Sequence, residues 1–213
     1  MPSEPPLSAD RINRYIAGYD GGDCFFAEPV TVTDGAAQIE GYGTTVRPFE
    51  KFDEAFKREH GFEADIGLRQ VAVPQCPAVT FLRRTRGARA SIPRLSIAET
   101  NLKPGQPLTG NIESNGEGHL ELLLVSDTGS VHNLTGLLKT ARGGKSFNLK
   151  MQRTSGSGAQ PQLLLAIAST KPLQALRLAQ PAAAEQVFAQ AAGEAARTGQ
   201  ALGAEIKYFK LER

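Results

Sequence analysis

The sequence predicts an α+β fold in two parts. A small α-β-β-α-β-α module is followed by a mainly antiparallel β-sandwich with one packed C-terminal helix. Ten of the fourteen Phe and Tyr residues precede residue 82, so the aromatic content of the chain decreases near that point. Apolar residues recur at helical spacing near residues 12–19, 49–56 and 187–195, whereas residues 95–169 form short alternating or apolar runs between Gly, Pro and Asn.

The first module is predicted over residues 8–83, after a linker remnant at 1–7. Ser8 can cap the first helix, and Asp34-Gly35 is a strong hairpin signal. Pro48 suits the first turn of a helix that Gly61 ends. The expected elements are a helix up to residue 19, strands at 25–33 and 36–43, a helix at 48–60, a strand at 66–73 and a short helix at 76–82.

An arginine-rich linker is predicted at 84–94. Arg83 directly precedes the linker, and the arginines within it are Arg84, Arg86, Arg89 and Arg94. Such a cluster suits contact with phosphate, anionic lipid or a partner, and equally a solvated linker. No aromatic platform accompanies the arginines, and the net charge is +2, so we expect no nucleic-acid binding.

The second module is predicted over residues 95–213. Leu108 and Ile112 alternate with polar neighbours, as in a strand with one buried face, whereas the runs at 120–125 and 163–168 are apolar on both faces, as in central strands. A helix within 181–202 and a terminal strand at 204–211 complete the module. The expected buried face of that helix consists of Val187, Phe188, Ala191 and Ala195.

Residues 95–211 resemble a bacterial β-rich module known as domain of unknown function 4384. The resemblance is carried by the entry turn Pro104-Gly105-Gln106-Pro107, the hairpin from Leu120 to Leu134 (LELLLVSDTGSVHNL) and the strand at 163–169. Members typically lie C-terminal to serine/threonine kinase or caspase-like domains in long envelope or signalling proteins. The resemblance implies this architecture and context, but no chemistry.

Residues 24–73 are similar to the BON domains of bacterial envelope proteins. The similarity lies in the element order and in the pattern Val30-Thr31-Val32, Asp34-Gly35 and Ile39-Glu40-Gly41. It implies a small non-enzymatic module that binds envelope components or other proteins.

The segment Asp127-Thr128-Gly129-Ser130 follows an apolar strand, as the catalytic segment of an aspartic protease does. That chemistry requires two carboxylates that share a proton, so a single copy would need a homodimer. A hairpin turn needs only the backbone geometry that Asp127 and Gly129 provide, and we favour the turn. Kinase loops, a complete P-loop and a nucleophilic triad are missing from the sequence.

The three histidines are His60, His119 and His132. The last two are nearly symmetric about the Asp127 hairpin and could face each other across it. A zinc site would need further ligands, and only Glu117 and Glu121 are near in sequence. We therefore expect surface or strand-edge histidines, with no metal and no cofactor.

Cys24 and Cys76 are the two cysteines. Cys24 begins the first strand at the end of the module where Cys76 leaves the last strand, and neighbouring positions of these strands would allow a disulfide. A bridge would close a loop of about 50 residues and indicate an oxidising, periplasmic or extracytoplasmic compartment. Two unpaired buried cysteines and a cytoplasmic location are the alternative.

We expect a non-catalytic binding or sensory region of a larger bacterial signalling or envelope protein, with a protein or envelope component as partner. The extracytoplasmic part of a serine/threonine kinase would fit this context. The alternatives are an unrecognised enzyme that uses Asp127 or Asp23 with a nearby histidine, and a structural spacer. No apolar stretch is long enough to span a membrane.

Overall fold

The computed structural model describes residues 9–85, 92–113, 118–153 and 158–213. It confirms the α+β class, with an α-β-β-α-β-α order followed by further sheets and a C-terminal helix. The chain divides into two compact units, a first unit at Met1–Gln70 and a second unit at Val71–Arg213. This division falls before the helix that the sequence analysis placed at the end of the first module.

The first unit is a three-stranded sheet with two helices. Its elements are α1 (Ala9–Gly18), β1 (Phe26–Thr33), β2 (Ala36–Gly43), α2 (Arg47–His60) and β3 (Asp65–Gln70). The strand order is β1-β2-β3, with β1 antiparallel and β3 parallel to β2. The parallel pair requires a crossover, and α2 provides it. The predicted cap residue Ser8 lies outside the described residues.

Aromatic side chains form the core of the first unit. Phe49, Phe52 and Phe56 share the buried face of α2, as the sequence predicts. Phe49 packs so closely on Gly41 and Gly43 of β2 that a Cβ at either glycine would lie within 2.8 Å of its ring. The helix ends at Gly61, whose φ of 79° is unfavourable for other residues.

The second unit contains ten strands and two α-helices among its described residues. Its elements are α3 (Cys76–Thr85), β4 (Arg94–Ile97), β5 (Asn101–Leu102), β6 (Pro107–Glu113), β7 (His119–Val125), β8 (Ser130–Asn133), β9 (Lys139–Ala141), β10 (Gly144–Lys150), β11 (Gln160–Ser169), β12 (Ala182–Ala183), α4 (Ala184–Thr198) and β13 (Leu202–Leu211).

The strands of the second unit form a sandwich of two sheets. One has the order β4-β6-β10-β9, and the other has the order β12-β8-β7-β11-β13-β5. The two sheets share one apolar core, to which Leu108 and Phe147 contribute from the first sheet and Leu124, Leu164 and Phe209 from the second. All pairs are antiparallel except β13 with β5.

Both helices of the second unit lie on the outer side of the six-stranded sheet. The predicted buried face of α4 is confirmed, since Val187, Phe188, Ala191 and Ala195 are all buried. Phe188 packs against Phe81 of α3, with 5.1 Å between the ring centroids. The apolar face of α3 is therefore part of the second unit, in addition to the predicted C-terminal helix.

Buried Gln75 fixes the start of the second unit. Its side chain has no exposed surface, and its Nε2 donates hydrogen bonds to the carbonyl oxygens of Val125 and Pro161, each at 3.0 Å. Its Oε1 accepts a hydrogen bond from the Ala72 amide at 2.9 Å. One side chain thus satisfies backbone groups of the entry segment, the end of β7 and the beginning of β11.

The predicted arginine-rich linker is shorter in the structure. Arg83 and Arg84 belong to α3, which extends to Thr85, and Arg94 is the first residue of β4. Arg86 and Arg89 lie outside the described residues, so their contact with an anion stays a prediction. Within the described ranges, no helix combines the length and apolar character needed to cross a membrane.

Candidate binding cleft

A cleft of about 890 Å³ opens in the second unit where the sandwich core becomes polar. Paired residues share a face, so Leu124 and His132, as well as Leu164, lie on the inner face of the six-stranded sheet. Gln162 and Gln160 precede Leu164 by two and four residues, so they lie on the same face, and they are 3% and 6% exposed. These buried amides replace the apolar side chains that would otherwise continue the core.

The edge of β10 forms one wall of this cleft. β9 covers β10 only from Gly144 to Ser146, so no described strand pairs with the outer edge from Phe147 to Lys150. Ala141 and Gly144 close a two-residue hairpin and form a hydrogen-bonded pair. Because such pairs alternate along an antiparallel ladder, the N–H and C=O groups of Asn148 and Lys150 are directed towards the uncovered edge.

Cationic side chains outnumber carboxylates along the lining. The lining residues include Lys139, Lys150 and Arg153, and Asp127 as the carboxylate. Arg153 is held in place, since its Nη1 and Nη2 donate to the carbonyl oxygens of Glu212 and Gly158 at 2.9 Å and 2.7 Å. Both lysines are exposed. The cleft therefore favours an anionic ligand.

An exposed leucine lies at the rim of the cleft. Leu137 is 57% exposed and lines the cleft with Leu134, Leu149 and Met151. A polar network behind β8 holds this segment: Asn133 Nδ2 donates to Glu121 Oε2 at 2.9 Å, and Thr135 Oγ1 donates to the same oxygen at 2.7 Å. Buried Glu121 is thus a structural anchor of the rim.

Asp127 and Gly129 lie in the hairpin turn between β7 and β8. The Gly129 amide donates to the Ser126 carbonyl at 2.8 Å, and the Ser126 amide donates to the Ser130 carbonyl at 2.9 Å. Gly129 has a φ of 78°, and a Cβ there would lie 2.6 Å from the carbonyl oxygen of Pro74. The turn therefore requires glycine. Asp127 Oδ1 is shielded from solvent and has no hydrogen-bond partner among the described residues.

His119 and His132 do not face each other across the hairpin, an arrangement that their positions in the sequence would have allowed. His132 pairs with Leu124, and His119 pairs with Ser169 at the other end of β7. Leu124 lies five positions after His119 along β7, about 17 Å of strand. Within the described ranges, no group of three or more His, Cys, Asp or Glu residues is arranged to hold a metal ion. Glu117 lies outside the described residues.

His60 is neither on the surface nor at a strand edge, contrary to expectation. It is 4% exposed at the end of α2, with its ring centroid 4.9 Å from that of Tyr15 and 4.6 Å from that of Phe56. Neither ring nitrogen has a hydrogen-bond partner among the described residues. Burial lowers the pKa of His60, which Glu59 partly opposes.

The predicted disulfide between Cys24 and Cys76 is confirmed, because both cysteines are disulfide-bonded and the chain has no others. One reason given for it is wrong: β1 and β3 are not neighbours, since β2 lies between them. The other reason holds, because β1 is antiparallel to β2 and β3, so the start of β1 and the end of β3 lie at the same end of the sheet. The bond is typical of proteins in oxidising compartments.

The alternative catalytic aspartates have different surroundings. Asp23 is exposed before β1, and within the described residues it makes no hydrogen bond to a histidine. Asp127 and His132, in contrast, both line the cleft.

Comparison of the chain with family models, curated proteins and solved structures gives no match. The resemblances to domain of unknown function 4384 and to BON domains therefore rest on the residues quoted for them.

Proposed function

We propose that the chain is a non-catalytic binding region of a larger bacterial signalling or envelope protein, and that the cleft of the second unit receives its partner. The cleft is the observation that carries the proposal. Its volume lies in the upper part of the range of about 300–1,000 Å³ that is typical of ligand sites. It combines apolar side chains, exposed cations and uncovered backbone groups.

The disulfide and the resemblances support an extracytoplasmic setting for this binding. A bond between Cys24 and Cys76 is maintained in the periplasm and outside the cell. Domain of unknown function 4384 implies a place beside a kinase or caspase-like domain. In such a protein, a binding region outside the cytoplasm would present a ligand-dependent signal to its neighbours. A protein or another envelope component is the partner that this context favours.

Affinity capture from bacterial envelope extract tests the proposal. The immobilised chain is compared with Leu137→Asp, which places a charge at the cleft rim, and with Val46→Asp as a matched control. Leu137 and Val46 are 57% and 56% exposed, and Val46 lies in the first unit. We expect one or more components that the original chain and Val46→Asp retain and Leu137→Asp loses. An identical set of retained components on all three proteins would contradict the proposal.

A second candidate function is an enzyme that uses Asp127 and His132, because both line the cleft. Envelope extract can be incubated with the original chain and with an Asp127→Asn, His132→Gln variant, and the products compared by mass spectrometry. A binding region leaves both extracts alike. A chemical change that requires the two original side chains would favour the enzyme.

A further inference from the structure

The geometry points to an extended acidic peptide segment as the partner that the cleft receives, added as an antiparallel strand to the edge of β10 that no described strand covers. This inference rests on the proposed function and names the kind of partner. The edge from Phe147 to Lys150 supplies the N–H and C=O groups of Asn148 and Lys150. Main-chain hydrogen bonds to such an edge are the basis of peptide recognition by strand addition.

Three other sheet edges among the described residues are less suited to this role. The outer edge of β1 contains Pro29, and its pairing register shifts between Pro29 and Thr31. Proline and bulges are common means of preventing edge association. β12 and β5 have only two residues each. The β10 edge has neither proline nor a register shift, and it borders a cleft rather than flat surface.

The two faces of β10 define which side chains the added strand would carry. Phe147 and Leu149 point into the core, so Asn148 and Lys150 point outward. Lys139 pairs with Ser146 and therefore lies on the same outward face. A strand beside this edge would place alternate side chains next to Leu149 and next to Leu137 at the rim of the cleft. Its remaining side chains would lie next to the two lysines.

The ligand pattern is therefore alternating apolar and acidic residues. Cross-strand pairs of opposite charge contribute roughly 0.2–1 kcal/mol each, and like charges are unfavourable. Lys139 and Lys150 mark the two ends of an edge that spans four residues, about 13 Å. A peptide with acidic residues on the outward face would place carboxylates near both lysines. Apolar residues on the inward face would cover Leu149.

Fluorescence anisotropy with labelled synthetic peptides tests this assignment. The probe is a short peptide of alternating valine and glutamate, and the matched probe has lysine in place of glutamate. We expect only the acidic peptide to bind, and its affinity to fall as salt is raised. Equal binding of the two peptides, or none by the acidic one, would overturn the inference.

Charge reversal locates the contact. The Lys139→Glu, Lys150→Glu variant should bind the acidic peptide about tenfold or more weakly, since two attractions become repulsions. Lys51→Glu is the matched control, because Lys51 is also exposed but lies on α2 of the first unit. Equal affinities for the two variants, both folded by circular dichroism, would exclude these lysines from the contact and overturn the inference.

Backbone methylation of the acidic peptide tests strand addition itself. In an antiparallel pair, the residues opposite Asn148 and Lys150 direct their amides to β10. Those residues also lie on the outward face, so they are the glutamates of the peptide. Methylation of the glutamate amides should therefore abolish binding, whereas methylation of the valine amides should not. Equal effects of the two patterns, or loss only with methylated valines, would refute antiparallel addition.

Two further outcomes separate this inference from the proposed function. Cleft-dependent capture from envelope extract without binding of the acidic peptide would leave the proposed function standing and overturn the peptide assignment. Concentration-dependent self-association that Lys139→Glu, Lys150→Glu disrupts, without binding of the acidic peptide, would assign the edge to a second copy of the chain and overturn it as well.

Discussion

Replacement of Gln75 by leucine should strongly destabilise the second unit, although it changes only one side chain. Gln75 is fully buried and makes three hydrogen bonds to the backbone, to Ala72, Val125 and Pro161. Leucine has a similar size but can form none of them. The substitution therefore removes the polar link between the entry segment and two strands of the six-stranded sheet.

The expected loss is about 3 kcal/mol, because each of the three hydrogen bonds contributes about 1 kcal/mol. A buried backbone group that is left without any partner would add to this loss, and burial of the leucine methyl groups would offset part of it. For a chain of this size, a loss of 3 kcal/mol corresponds to a decrease in Tm of roughly 6–12 °C.

Urea unfolding followed by far-ultraviolet circular dichroism measures the effect, with Gln70→Leu as the control. Gln70 also donates a side-chain hydrogen bond to a carbonyl, that of Thr44 at 3.2 Å, but it is exposed. We expect the control to change the free energy of unfolding by no more than about 0.5 kcal/mol. If Gln75→Leu changes it no more than Gln70→Leu does, the structural role assigned to Gln75 is wrong.

Three further outcomes are expected. Replacement of Cys24 and Cys76 by serine should lower the free energy of unfolding by about 4 kcal/mol, the value that the chain-entropy model gives for a loop of about 50 residues. A reductant should lower the Tm of the original chain and leave that of the variant unchanged. Equal Tm values of the original chain with and without reductant would contradict the bond. Because burial lowers the pKa of His60 below the value of about 6.5 in the unfolded chain, the unfolded state binds more protons as the pH falls. The contribution of His60 to stability is therefore present above about pH 6.5 and is lost as the pH falls through its folded pKa. Urea titrations across this pH range should show a smaller decrease in the free energy of unfolding for His60→Phe than for the original chain. Identical pH dependence of the two proteins would refute the assignment. Asp127→Asn should change the free energy of unfolding by no more than about 0.5 kcal/mol, since asparagine suits the same turn, and envelope capture should be unchanged; lost capture by a stable variant would give Asp127 a role in binding.

Most elements of the fold could be predicted because local signals determine them. Asp34-Gly35, Pro48 and Gly61 mark a turn, a helix start and a helix end that the structure confirms. Which module receives α3 is harder to predict from local signals. Its apolar residues predict a helix but not which core receives them, and Phe81 packs on Phe188, more than a hundred residues later in the chain.

The cleft could not be predicted from the sequence, because it depends on which strands are neighbours. Gln160 and Gln162 alternate with apolar residues at the start of β11, and this alternation was the one local signal that a polar patch interrupts the core. The edge of β10 that no described strand covers has no local signal. It exists because β9 begins only at Lys139, and the chain just before it forms the short 3-10 helix at Thr135–Leu137.

The contrast between two hairpins explains why the cleft, and not the Asp127 turn, carries the functional argument. In the β7–β8 hairpin, the turn closes tightly, its backbone groups are paired, and Gly129 packs on Pro74. In the β9–β10 hairpin, one strand is three residues long and its partner is seven, so the longer strand keeps backbone groups that no described strand pairs. Uncovered edges of this kind favour aggregation unless something limits access to them. Lys139 and Lys150 on the outward face repel a second edge of the same charge and attract an acidic strand, so the same two side chains both protect the edge and select its partner.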